Sequence, residues 1–170
     1  MSWFNRAAPA GKKKICILGL DGTPYTLLES LCNAGKMPNL KEISGQGTLA
    51  PMTTALPEIS SVAWSSFMTG KNPGKHNIYG FSDLKPNSYD AYFPNYTNIK
   101  SKTMWDIVGG EGKRSVIINV PSTYPARELN GILISGFVAL DLEKAVYPLS
   151  LAAKLKMADY RIDVNLEKAL

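Results

Sequence analysis

Histidine is almost missing from this chain: His76 is the only one in 170 residues. A Ser-His-Asp triad would have to use it, and a metal site built from several histidines cannot be assembled. Cysteine is scarce too. Cys16 and Cys32 lack metal-type spacing, which leaves them as buried reduced thiols in the sequence reading. The longest apolar runs, "ICILGL" and "SVIINV", are strand-sized and far short of the roughly 20 residues a membrane span needs. No glycine-rich nucleotide fingerprint is present. "GKNPGKH" has one residue too few between its glycines for a Walker loop, ends in His76, and follows a predicted helix instead of a strand. Basic and aromatic residues do not interleave, so the net charge of +5 reads as solvated lysines, part of them in "GKKK", and not as a nucleic-acid surface.

What remains is the composition of a globular domain with enough length for a real core. The opening "MSWFNRAAPAGKKK" places its basic cluster after its apolar residues, unlike a secretory signal. Residues 1–13 are expected to be a flexible leader, with a cytoplasmic location as the default. Without a secretory signal, the sequon "NYT" at Asn95 carries little meaning.

"KICILGL" (Lys14 to Leu20) is a continuous apolar run ending at "DG", which predicts a strand buried on both faces, with Cys16 inside it. "TPYTLLESLCNAGK" predicts a helix with Thr23 at the N-cap, Pro24 in the first helical position and Gly35 at the stop. "MPNLKEISGQG" predicts a second short helix, and "TLAPMTTAL" a strand weakened by Pro51. From Ser60 or Ser61 a helix should run to Gly70. The Asn-, Pro- and Tyr-rich stretch that follows is too long for a simple connection. "TMWDIVGGEG" reads as a helix, "RSVIINV" and "GILISGF" as buried strands, and "PLSLAAKLKMADY" as a final amphipathic helix. Strands alternating with helices predict an α/β fold with a mostly parallel sheet flanked by helices. "RIDVNLEKAL" begins like a new element and stops without a turn or cap, so residues 14–170 are expected to be the first portion of a larger α/β domain, with an apparently incomplete sheet.

Two residues stand out for chemistry. Asp21 follows the first predicted strand, on the edge where α/β sheets place their ligands. Ser60 sits at about the N-cap of a helix, with Ser61 the competing choice. There a hydroxyl meets free backbone N–H groups and the positive end of the helix dipole. Each alone reads more readily as a cap than as a catalytic group. His76 stands one helix length from Ser60, about 15 Å for ten residues, so it does not serve as that serine's base unless the loop folds back.

Taken together, "ILGLDGTPYTLLESLCNAGKMPNLKEISGQG", "PEISSVAWSSFMTGKNPGKHNIYGF", "VIINVPSTYP" and "ILISGF" resemble the N-terminal part of a known group. It is the type I phosphodiesterase/nucleotide pyrophosphatase branch of the alkaline phosphatase superfamily, most of all its phosphohydrolase/phosphomutase members. The resemblance runs from Lys14 to about Val164. It implies an alkaline-phosphatase-like core, two divalent metals (zinc, or manganese as the alternative), and a serine or threonine that forms a covalent phospho-enzyme. Asp21 matches the metal-binding aspartate after the first strand. The family's nucleophile lies nine positions before the Thr-Gly of "TGKNPGKH", which selects Ser60 over Ser61 and makes it a metal ligand as well. His76 matches a recurrent loop position and reads as structural, not ligating.

The chain also departs from the family. Ala63, followed by Trp64, stands where nucleotide pyrophosphatases carry a phosphoryl-binding asparagine, which weakens the case for nucleotide substrates. The family's further aspartate and histidine ligands, including a D-x-x-x-H pair, have no counterpart here, so at most partial metal occupancy is expected. The expectation is a metal-dependent phosphodiester or phosphomonoester hydrolase, or phosphoryl transferase, acting on a small phosphorylated substrate and inactive as this chain alone. No nucleic-acid or membrane partner is expected. Uncovered sheet surfaces favour a homo-oligomer. The alternative is a non-catalytic binding or interaction module on the same fold.

Overall fold

The computed structural model describes residues 14–162, so the expected leader over residues 1–13 lies outside the described residues. The chain divides into two compact units, Met1–Pro51 and Met52–Leu170.

In the first unit, α1 (Tyr25–Asn33) and α2 (Pro38–Gly45) form a helical pair. Thr23 and Pro24 take other places than the sequence suggests. Pro24 is the extended cap residue, and the Thr23 hydroxyl donates to the Asp21 carbonyl at 3.2 Å. Gly35 ends α1 as expected: at φ +71 it lets Lys36 N–H reach the Leu31 carbonyl at 2.9 Å and Gly35 N–H the Cys32 carbonyl at 3.2 Å. The run Lys14 to Leu20 is not a strand, and it is not buried. Ile15 is 87% exposed, Leu18 is 85% exposed, and Cys16 is exposed, contrary to the expectation of a buried thiol. Apolarity favours burial, but a strand also needs a neighbour to take its backbone hydrogen bonds, and among the described residues no strand pairs with this run. The segment around Pro51 is likewise irregular.

The second unit begins its regular structure with α3 (Ser60–Thr69), closed by Gly70 in the left-handed conformation, as the sequence predicts. The long Asn/Pro/Tyr stretch carries small elements of its own. They are α4 (Pro73–His76), an antiparallel hairpin of β1 (Asp83–Leu84) and β2 (Ala91–Tyr92), and a 3-10 turn at Tyr96–Asn98. The Asn95 side chain caps that turn by accepting from Thr97 N–H at 2.9 Å and the Thr97 hydroxyl at 2.7 Å. The sequon asparagine therefore has a structural occupation.

Next comes α5 (Met104–Gly110), whose cap residue Thr103 and N3 residue Asp106 bond each other's backbone in a capping box. Then follow β3 (Ser115–Val120), β4 (Gly131–Ser135), α6 (Leu142–Ala145), β5 (Val146–Tyr147) and α7 (Ser150–Met157). The sheet order is β3-β4-β5, with β3 parallel to β4 and β5 antiparallel to it, giving a small mixed sheet among helices.

The central strand β4 separates two clusters of buried side chains. On one side Leu133 packs with Met68, Ile78, Tyr96, Trp105 and Ile117; on the other Ile134 packs with Ala145, Val146 and Ala152. β4 is thus buried on both faces, as its sequence predicts. For β3 the same expectation is corrected: Ile117 is buried, but Val116 and Ile118, which alternate with it along the strand, are 60% and 56% exposed. Gly131 fixes where β4 begins. Its φ is +149, and a Cβ there would lie 1.8 Å from the Ser115 carbonyl oxygen of the paired strand.

Candidate active site

Ile59, with extended backbone at φ −122 and ψ 134, is the cap of α3, and Ser60 is its first helical residue. The expected N-cap assignment of Ser60 is corrected by one position. The Ile59 carbonyl accepts from Val62 N–H at 3.0 Å and Ala63 N–H at 2.9 Å, which starts the helical ladder. The helix buries Ser61, Val62, Ser65, Met68 and Thr69 on one side and leaves Ser60, Ala63 and Trp64 half-buried. Ser60 and Ser61 therefore have different access. Ser61 is only 4% exposed and its hydroxyl is without a partner among the described residues, as is that of fully buried Ser65 one turn on. Trp64 stacks edge-to-face on Phe67, with ring centroids 5.7 Å apart.

Asp21 belongs to the first unit. It is exposed in the turn that Gly22, at φ +62, makes ahead of α1. It follows an irregular segment, not the strand end that the sequence predicts. Ser60 belongs to the second unit, so each candidate is placed within its own unit.

His76 has two identified partners. Its Nδ1 accepts the Ile78 N–H at 3.2 Å, which puts the ring proton on Nε2, facing the Ser66 hydroxyl at 3.0 Å. In that tautomer Nε2 donates to Ser66 and cannot remove a proton from it. The ring is fully buried, and burial pushes its pKa below the ordinary histidine value, which keeps it neutral. Its carbonyl accepts Lys100 N–H at 3.1 Å, while the Ser101 hydroxyl donates to the Lys75 carbonyl at 2.8 Å. His76 thus ties α3, α4 and the strand of chain before α5 together, a structural role that agrees with the sequence reading.

Sequence reasoning missed a polar knot at the C-terminal ends of β3 and β4. The Thr123 hydroxyl donates to the Val120 carbonyl at 2.6 Å, and the Ser135 hydroxyl to the Thr123 carbonyl at 2.7 Å; both residues are fully buried. Asn119 and Ser122 hold φ of 61 and 63, and the β3–β4 register shifts between Ile118 and Val120. A Cβ on Gly136 would lie 2.4 Å from the Asn119 carbonyl oxygen. The one clue in the sequence is the polar "PST" directly after an apolar strand, on the edge where parallel sheets place ligands.

A metal centre needs several hard or nitrogen donors converging on one point. Among the described residues no group of three or more His, Cys, Asp or Glu side chains comes together, so the donor set does not amount to one. No helix of the described residues is long and apolar enough to cross a membrane.

An α/β framework with an accessible serine opening a helix is one that phosphoryl-group enzymes use. The chain belongs to the type I phosphodiesterase / nucleotide pyrophosphatase family, whose sequence profile matches residues 15–168. Membership supports a phosphoester hydrolase kind of function. Searches of curated proteins and of solved structures returned no match.

Proposed function

We propose that this chain supplies the nucleophile of a phosphodiester or phosphomonoester hydrolase, or of a phosphoryl transferase, with Ser60 as the attacking residue. The Ser60 oxygen forms a bond to phosphorus as the bond to the leaving oxygen breaks, and the serine proton passes to solvent or to the leaving group. Water, or an acceptor hydroxyl in the transfer reaction, then attacks the phosphoserine and frees Ser60. The observation that carries this reading is access: Ser60 is half-buried at the opening of α3, whereas Ser61 is almost fully enclosed. The first-turn N–H groups and the helix dipole there favour the negative charge that builds on the phosphoryl group.

Asp21 is the metal ligand we assign on the family pattern, with zinc or manganese as the ion and the cytoplasm as the compartment. The described donors do not complete such a site. The chain of residues 1–170 is accordingly expected to show little or no turnover alone. An assay with zinc or manganese and an aryl phosphodiester checks this, and turnover that disappears in Ser60→Ala would contradict the inactivity while supporting the nucleophile.

The same shortage of converging donors favours a second reading, a non-catalytic binding module. Zinc binding that is unchanged in Asp21→Asn would favour the module over an active site built on Asp21.

A further inference from the structure

The parallel pair has a second edge, opposite the polar knot. There, at the N-terminal ends of β3 and β4, lies a groove of about 260 Å³. Arg114, just ahead of β3, lines it together with Gly131, the first residue of β4. Ser150 and Lys154 of α7 contribute as well, and Ile132, Pro148 and Leu151 supply apolar surface.

The charge in this groove is one-sided. No carboxylate lines it among the described residues. The ion pairs among the described residues are Lys85–Asp90, Lys156–Glu143 and Arg161–Asp159, none of which involves Arg114 or Lys154. The contrast within α7 is direct: Lys156 is held by Glu143 at 2.6 Å, while Lys154 lines the groove and pairs with no acid among the described residues. Two positive charges on a partly apolar cleft concentrate anions there, most strongly those with two charges. A groove of this volume has room for a phosphate head together with a short stem.

We propose that this groove binds a phosphate dianion, free or as the head of a short phosphate ester, at a site separate from Ser60. Arg114 and Lys154 hold the oxygens, and Ile132, Pro148 and Leu151 accommodate the stem of an ester. The site lies on the sheet edge away from the strand ends where α/β folds place their reacting ligands, so it acts on binding or regulation.

The test is a titration of the isotopically labelled Ser60→Ala chain with inorganic phosphate, and separately with ethyl phosphate, followed by backbone NMR at constant ionic strength. Saturable shifts at Gly131, Ile132 and Leu151 are expected, with affinity weakened about tenfold in Arg114→Gln and in Lys154→Gln. Tighter binding of ethyl phosphate than of inorganic phosphate identifies the ester as the ligand; equal binding identifies free phosphate. Lys156→Gln, on the same helix but outside the groove, is the control and should leave affinity unchanged. All of these substitutions exchange an exposed charge for an amide, and a spectrum of native dispersion verifies the fold. The proposal is overturned if the shifts do not saturate, if both groove variants bind as the parent does, or if Lys156→Gln weakens binding equally.

Discussion

The single histidine illustrates how a residue's hydrogen bonds decide its role. With Nδ1 accepting from Ile78 and Nε2 donating to Ser66, His76 is a neutral structural link. Removing the Ser66 hydroxyl leaves a buried ring N–H without its partner, so Ser66→Ala should cost about 1–3 kcal/mol in a urea melt. A loss below a few tenths of a kcal/mol would contradict the link. The pH dependence has a definite sign. Burial favours neutral His76, so the folded pKa lies below the unfolded value of about 6.5 and the unfolded chain binds the proton first. The contribution of His76 is therefore fully present above that unfolded value and is lost as pH falls through the folded value. Urea midpoints measured downward from neutral pH should show this decline, and His76→Gln should flatten it. Protonation would also place a donor at Nδ1 against the Ile78 N–H, and the facing Ser66 hydroxyl offers no negative charge to compensate.

At the level of elements, Gly131 is where geometry is least forgiving. A side chain there would meet the Ser115 carbonyl and sit at a φ that L-residues rarely adopt. Gly131→Ala should lower stability by about 3 kcal/mol or more. Denaturant unfolding checks this, and a change within 1 kcal/mol would contradict the tight β3–β4 start. The elements differ in how legible they were. Helix α3 was readable because its Ser-rich opening and Gly70 stop mark both ends, and β4 because a strand with neighbours on both sides needs the continuous apolar run it has. Lys14 to Leu20 has the same apolar character, but apolarity cannot state whether a partner strand is present. The two-residue strands β1, β2 and β5 are too short to leave a periodic pattern. Ser60 was singled out by the family's spacing ahead of Thr69 and Gly70, whereas the Thr123–Ser135 knot left no such mark, since the Ser135–Thr123 bond joins residues twelve positions apart.

On the scale of the whole molecule, the family match over residues 15–168 accompanies a small sheet in the second unit that has β3 at one edge among the described residues. Val116 and Ile118 expose their side chains on one face of it. We propose that a second copy of this chain covers that face, since exposed apolar side chains gathered on one surface favour association. Sedimentation velocity should show concentration-dependent association that the double variant Val116→Lys, Ile118→Lys abolishes. A monomer at all concentrations, or association that survives the double variant, would contradict this. The central claim concerns chemistry, and peptide mapping after acid quench tests it most directly. The protein from the complete reading frame that contains residues 1–170 is mixed with an aryl phosphodiester and zinc, quenched, digested and analysed by mass spectrometry. The account predicts a single adduct on Ser60, the phosphoryl group still carrying the ester arm that remains after the aryl oxide leaves, with turnover lowered at least about a thousandfold in Ser60→Ala. An adduct on another residue, or a Ser60→Ala protein with parental turnover, would contradict it.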